Sequence, residues 1–448
     1  MGDNAAWPAI RLGDLTLATP VMLAPMAGVT NPPFRQLCRE EAEAGIRCAT
    51  GAGNVPEVAR PDTSHAAGVD TNHAVRPDTN QAETTGEGQA SESHASGCYA
   101  PAGLWVCEMI TSRALLERTP ETMTMIQPDP SDPVRSIQLY GVEPKVVAAA
   151  VRLLIDENRA DHIDINFGCP APKVTRKGGG SALPWKLDLY EDLVRQATEA
   201  ANLANRGRDH AVPITVKFRV GIDAAHETFR DVARISEDYG VAGLTLHART
   251  TAQHYAGHAN WDYIAELVES TDLPVFGNGD VFDAADAAAL RAHTGCAGVA
   301  VGRGCQGRPW IFYDLAALMH GATVQRRPSL REVAAIIERH ARLSVEHFGS
   351  ENKAMRELRK HITWYLKGFA VGGETRHALG LVSTLEELHE RLQGLDLDQP
   401  YPAAAEGKRG RAGGEKRPHL PEGWLDSREL TPEQAARIHE AELDISGG

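Results

Sequence analysis

The chain is predicted to fold as an α/β protein, a (β/α)8 TIM barrel followed by an all-α C-terminal helical domain, and three observations carry that prediction. Eight short apolar runs of strand type alternate with longer amphipathic stretches from Val21 onward, polar and glycine residues gather at the carboxyl ends of those runs, and after Arg327 the pattern turns to helices alone. A doubly wound open sheet is the alternative for the same rhythm.

The strand-type runs are Val21 to Pro25, Leu104 to Met109, Ser136 to Tyr140, His162 to Asn166, Pro213 to Arg219, Gly243 to His247, Pro274 to Gly277 and Gly298 to Gly302. Helix-type stretches follow them, beginning with Pro33 to Glu43 and ending with Pro309 to His320. This assigns residues 1–328 to the barrel. Residues 47–103 interrupt the rhythm: they are polar, glycine-rich and without apolar period, and read as a disordered insertion on the amino-terminal face. Its His65, His73, His94 and Cys98 match no zinc spacing, so no metal site is expected. Residues 329–397 form the helical domain. In the tail, 398–448, the basic runs Gly407 to Arg411 and Glu415 to Pro418 read as an exposed linker, and Thr431 with Gln434 as the capping box of one short helix.

Composition narrows the class. With 448 residues, 42% hydrophobic and 24% charged, the chain has ordinary globular values. No apolar run is long enough for a membrane span, and the amino terminus lacks a basic and apolar leader, so a cytoplasmic protein is expected. Its seven cysteines are scattered with no CxxC pair and are expected to be reduced. A formal charge of −14 gives no general affinity for nucleic acid, which leaves local basic clusters to supply any. Nothing in the sequence calls for an obligate protein partner.

In a barrel the reacting groups collect at the carboxyl ends of the strands. The loops after the seventh and eighth strands, Gly277-Asn278-Gly279-Asp280 and Gly302-Arg303-Gly304, are where backbone N–H groups hold a phosphate in many barrels, or else simply tight turns. Gln138 and Lys217 point into the barrel and each needs a polar partner there; a flat heteroaromatic cofactor such as a flavin supplies one, unless the lysine reaches solvent. Cys169, in a Gly-Cys-Pro turn past the fourth strand, is mostly protonated at neutral pH and fit to donate a proton. Lys173, Arg176 and Lys177 then lead into Gly178-Gly179-Gly180, a solvated loop or a hinged lid over an anionic substrate.

Taken together, Ala24-Pro25-Met26-Ala27-Gly28-Val29-Thr30 with Phe34-Arg35, Asn166-Phe167-Gly168-Cys169-Pro170, His247-Ala248-Arg249-Thr250, Gly277 to Asp280 and Gly302-Arg303 resemble the tRNA-dihydrouridine synthases, the bacterial B-type branch in particular. The resemblance runs from residue 18 to about 395 outside the insertion; Asn31 departs from it, standing where many relatives carry Asp. It implies FMN-dependent reduction of the C5=C6 bond of particular tRNA uridines, with NADPH or NADH as reductant. By that resemblance Pro25, Met26, Ala27, Gln138, Lys217 and His247 line or bond the flavin ring, and Asn278, Gly279, Asp280, Gly302 and Arg303 hold its phosphate end. Cys169 is the catalytic acid, while Asn166, Lys173, Arg176 and Arg249 meet the substrate. In the helical domain, which resembles the family's tRNA-binding domain, Arg356, Lys360 and Lys367 recur at helical spacing and are expected to contact tRNA. Two other readings remain open at this point: an FMN barrel of the dihydroorotate-dehydrogenase kind acting on a free small molecule, and a non-catalytic RNA-binding protein.

Overall fold

The computed structural model describes residues 5–51, 98–410 and 413–443. Twelve strands occur among them: β1 (Ile10–Leu12), β2 (Leu15–Leu17), β3 (Val21–Leu23), β4 (Cys98–Ala100), β5 (Leu104–Trp105), β6 (Ile110–Thr111), β7 (Ser136–Tyr140), β8 (His162–Phe167), β9 (Ile214–Arg219), β10 (Gly243–His247), β11 (Val275–Asn278) and β12 (Gly298–Val301). Nine form one parallel sheet in the order β5-β3-β12-β11-β10-β9-β8-β7-β6. The ends of that order belong together, because β5 and β6 are two pieces of the same barrel strand. β5 pairs with β3 and β6 with β7, and between them Cys107 N donates to Ser136 O at 3.0 Å. The sheet thus curls into the eight-stranded barrel the alternation predicts, with helices between successive strands.

The first helix, Pro32–Thr50, shows how local chemistry sets its ends. Asn31 caps it by accepting from Phe34 N at 3.1 Å, two prolines fill the first turn, and Gly51 ends it in the left-handed conformation (φ 65°) with its N–H on Arg47 O. An Asn here does what an Asp would. The helix carries regular structure through residue 50, and β4 begins at Cys98, so the insertion is shorter at both ends than the composition suggested; its remainder, 52–97, lies outside the described residues.

β1, β2 and β4 make a small separate sheet whose Ile10, Leu12, Leu15, Leu17 and Ala100 are buried against Met22, Phe276 and Ala300. Close approaches at Gly243 and Gly298, the first residues of β10 and β12, place this sheet across the amino-terminal mouth of the barrel. That face is closed by apolar packing, which leaves the carboxyl-terminal face for chemistry.

Four helices follow the barrel, Leu330–Phe348, Glu351–Tyr365, Gly373–Leu379 and Leu385–Gln393, and share their own core with Leu37 and Trp310 of the barrel. The predicted linker runs are largely exposed, with Gly407, Lys408, Gly410, Glu415, Lys416 and Arg417 at the surface, but parts of the tail are docked on the fold. Arg409 is buried, donating to Gln306 O, Trp364 O and Ala405 O, and Trp424 and Ile438 join the barrel core. Burying such side chains contributes about 2 kcal/mol each, which a solvated linker does not gain. The predicted capping box is present: Thr431 and Gln434 exchange bonds at 3.2 Å at the start of helix Pro432–Leu443. No described helix is long and apolar enough to cross a membrane.

Candidate active site

The inward side chains of β7, β8 and β9 are polar, which a barrel tolerates only if each finds a partner. His162 bridges Ser136 Oγ (2.8 Å) and Thr215 Oγ1 (2.9 Å), and burial holds its imidazole neutral, with a pKa of about 3. One layer nearer the mouth, Asp164 accepts from Gln138 Nε2 and Thr215 Oγ1, both at 2.7 Å. Gln138 Oε1 in turn accepts from Asn166 Nδ2 at 2.9 Å, and Asn166 Oδ1 accepts from the backbone N–H groups of Gly168 (3.1 Å) and Cys169 (2.9 Å). A continuous chain of bonds therefore runs from the barrel interior to the cysteine turn.

Other groups fix that turn from the opposite side. Arg219, 3% exposed, donates to Gly168 O at 2.9 Å and to Thr250 O and His254 O. Ser181 donates through both its N–H and its hydroxyl to Cys169 O, at 3.0 and 3.1 Å. Burial raises the Cys169 thiol pKa, against the Ala171 N–H and the charges of Arg219, Lys173 and Lys217, so the group stays protonated at neutral pH. Lys217 is lowered to about 8 by burial and then by Arg219, and makes no side-chain hydrogen bond to another described residue. His247 is held neutral by burial and by Arg219, Lys217, Arg249 and Arg303 around it.

The three glycines 178–180 are not hinges. A Cβ at Gly178 would meet the Trp424 ring at 2.6 Å, one at Gly179 the Tyr140 hydroxyl at 2.5 Å, and one at Gly180 the Cys169 carbonyl oxygen at 2.5 Å. They are close-packing positions that lock the loop between neighbours, in place of the lid their composition suggested. Lys173 and Arg176 are exposed beside them, with Arg176 3.4 Å from His419.

At the rim after β11 and β12 the structure sorts the expected phosphate ligands. Arg249, 1% exposed, puts one guanidinium nitrogen on both oxygens of Asp280 (2.7 and 2.8 Å) and bonds Ala256 O and Gly257 O. It is spent inside the protein, a correction to its reading as a substrate contact. Asp280 adopts φ 57°, accepts from Ala259 N, and lies 3.6 Å from Arg303, whose guanidinium sits over the Tyr255 ring. Burial opposes its ionisation, but the Arg249 bond, the Ala259 N–H and the two arginine charges hold its pKa below the ordinary carboxyl range. A carboxylate repels phosphate, so its contribution is to orient the arginines. Asn278 spends its amide on Ala300 O at 2.7 Å. Gln138, fully buried, bonds Asp164 through its Nε2 and Asn166 through its Oε1, and so supports the cysteine turn.

Space remains above Met26. A Cβ at Gly302 would approach nothing closer than Ala24 and Met26 at 3.9 Å, so packing leaves the space beside this glycine open. Pro25 and Met26 are half-buried and Ala27 exposed along the same edge, while Gly279 is required for packing, its Cβ meeting Ala259 at 2.6 Å. An open cradle floored by Met26, with the Lys217 ammonium inside the mouth, neutral His247 beside it and Arg303 at the rim, suits a flat polar cofactor with an anionic tail.

The basic stripe of the helical domain is broken up. Helix Glu351–Tyr365 ends before Lys367, whose ammonium donates to Lys408 O at 2.7 Å and Glu406 O at 3.3 Å in the tail. Arg359 bonds Leu381 O and Val382 O. Lys360 pairs with Glu357 at 2.6 Å and faces Gly28 of the barrel, and Arg356 is exposed. Periodicity cannot see where a helix stops or which carbonyls lie opposite. A cavity of about 320 Å³ opens at this junction, lined by Gly28, Arg35, Glu108, His347, Lys353 and Glu357 among others.

Asp164, Arg219, Tyr255 and the tail were missed as site elements. Asp164 was accessible in principle, since His162, Asp164 and Asn166 alternate with isoleucines on one face of β8.

Comparison with known proteins identifies the family. A family model for dihydrouridine synthase (Dus) matches residues 22–400. The chain is 46% identical over 419 residues to a probable tRNA-dihydrouridine synthase of Mycobacterium tuberculosis, covering 93% of this chain and 92% of the relative. To a probable tRNA-dihydrouridine synthase of Mycobacterium leprae it is 46% identical over 405 residues, with 90% and 95% covered. To tRNA-dihydrouridine synthase B of Vibrio cholerae it is 29% identical over 386 residues, with 86% and 98% covered. The chain belongs to the dihydrouridine synthase family, with B-type proteins among its relatives.

Proposed function

We propose that the protein reduces the C5=C6 bond of uridines in tRNA, giving 5,6-dihydrouridine, with a flavin held in the barrel mouth. A bound flavin, FMN in this reading, supplies the hydride for C6 and is recharged by NADPH or NADH. The chain's own residues do the rest. Pro25, Met26 and Ala27 would line the cofactor, Lys217 and neutral His247 would bond or border its ring, and Gly302 with Arg303 would hold the anionic end, with Asn278, Gly279 and Asp280 supporting that rim. The Cys169 thiol gives its proton to C5, and the charges of Arg219, Lys173 and Lys217 favour the thiolate left behind.

The observation that carries this reading is the cysteine turn. Its thiol is kept protonated by burial, and two independent sets of hydrogen bonds, with Asn166 and Ser181, fix its backbone beside the Lys217 ammonium, which makes no side-chain hydrogen bond to another described residue. Arg356, Lys173 and Arg176 are among the exposed basic groups that would meet the RNA backbone, in the cytoplasm where tRNA is found.

Mapping dihydrouridine by nucleoside mass spectrometry and site-resolved sequencing, in tRNA from cells with and without the gene, tests the proposal. Loss at defined positions supports it. An unchanged profile, with no second gene of the family to compensate, overturns it in favour of a small-molecule substrate or an RNA-binding role without chemistry.

A further inference from the structure

Residues 406–410 and 413–443 run along the carboxyl-terminal rim of the barrel, and their contacts trace a path around the mouth. Leaving Lys367, the chain passes the Arg303 side chain and Gln306 at Gly410, resumes with Lys416 N on Ala252 O (2.8 Å) after β10, and meets Arg176 at His419 beyond β8. It then grips the segment that follows the cysteine turn. The Trp424 ring, 1% exposed, lies on Gly178, and its indole N–H donates to Ala182 O at 3.0 Å. Lys186, fully buried, donates to Ser427 O at 2.7 Å and Glu429 O at 2.9 Å, and Leu187 N donates to Arg428 O at 2.8 Å. Arg428 itself is held by Asp231 at 2.7 Å and over the Trp185 ring. The crossing ends with Glu442, whose carboxylate accepts from Val142 N after β7.

These contacts reach Cys169 in two steps. Trp424 fixes Gly178 and Ala182; Ser181, between them, holds the Cys169 carbonyl through two hydrogen bonds, and Gly180 packs directly on that carbonyl. Lys186 adds a second anchor, because a buried ammonium deprived of its carbonyl partners must move to find others. We propose that this segment is a strap that positions the proton-donating loop, with Trp424 as the positioning residue that sets where Cys169 stands in the mouth. The inference rests on the reading of Cys169 as the acid in the proposed function. Trp424 touches no reacting atom. Its effect travels through Gly178, Ala182 and Ser181.

The test uses the full chain carrying Trp424→Ala or Trp424→Phe. Alkylation of Cys169 by iodoacetamide is followed by peptide mass spectrometry, with exposed Cys48 as the internal reference, and turnover on tRNA is measured in parallel. With Trp424→Ala, alkylation of Cys169 relative to Cys48 should rise, and kcat should fall roughly tenfold or more while KM for tRNA stays within about twofold, as expected when a reacting group is displaced by about an ångström. Trp424→Phe, which keeps an aromatic ring but loses both the bond to Ala182 and the outer edge of the indole that lies on Gly178, should lie between; it carries the test if the alanine variant does not fold. Unchanged relative alkylation, or unchanged kcat, in the folded variants overturns the strap's role. Alkylation needs no turnover. If the wild-type protein makes no dihydrouridine, the proposed function falls, and the alkylation ratio still decides whether the strap sets the loop.

Discussion

Asn166 separates two accounts of the same residue, one in which it positions the target base and one in which it holds the cysteine turn. In the structure its Oδ1 accepts from Gly168 N and Cys169 N, and its Nδ2 donates to Gln138 Oε1, three bonds at 2.9 to 3.1 Å. Asn166→Ala removes all three and leaves two backbone donors and one amide oxygen partly buried without partners. At a net worth of about 1 kcal/mol each, the loss should be about 3 kcal/mol of stability, read as a lower urea midpoint at unchanged slope. The turn then keeps Arg219 and Ser181 but loses the third of its anchors, so kcat should fall by roughly ten- to a hundredfold with KM for tRNA nearly unchanged. Asn166→Asp sharpens the test. It keeps the acceptor oxygen for both N–H groups of the turn but sets an oxygen against Gln138 Oε1, and Gln138 cannot flip without giving up Asp164. It should therefore preserve kcat better than alanine while losing comparable stability. A raised KM for tRNA with wild-type kcat and wild-type stability in Asn166→Ala would refute the reasoning and return the residue to the base.

Three further outcomes are expected. Cys169→Ala should bind flavin and tRNA as the wild type does and lose most turnover, measured by single-turnover dihydrouridine formation; full activity would remove the thiol from the mechanism. Arg356→Ala should lower the slope of log K for tRNA against log salt by about one unit, whereas Lys367→Met should leave it unchanged because that ammonium is engaged by the tail; a slope lowered by Lys367→Met instead would put the RNA on the other side of the helix. Burial of Asp164, opposed by its bonds to Gln138 and Thr215 and by Lys217, raises its pKa to about 6, so the folded state holds its proton where the unfolded chain, titrating near about 3.9, has released it. Its contribution to stability is complete below about pH 4 and is lost as pH rises to about 6, by up to about 3 kcal/mol, so the difference in unfolding free energy between wild type and Asp164→Asn should slope across that window and be flat above it.

The barrel was readable because its strands are apolar and long enough to show alternation: β7, β8, β9 and β10 fall within a residue or two of the predicted runs. β1, β2 and β4 are three residues each, too short to display a period, and their burial depends on Met22 and Phe276 arriving from elsewhere. At the site, residue types were legible and roles were not. Gln138, Asn166 and Arg249 are polar groups at strand ends, as expected, but whether such a group faces a ligand or another side chain is decided by neighbours across the sheet. The tail was least legible. Its glycines, prolines and charges read as solvated, and the surface that buries Lys186 against Glu429 O joins residues 243 positions apart.

That strap follows both the barrel and the four helices in chain order. A ribosome therefore delivers it after every other described part of the mouth, and each nascent chain passes through a form in which the carboxyl-terminal face has no crossing segment. Until those last residues have emerged, the loop that carries Cys169 lacks the indole and the carbonyls that Gly178, Ala182 and Lys186 meet in the finished fold.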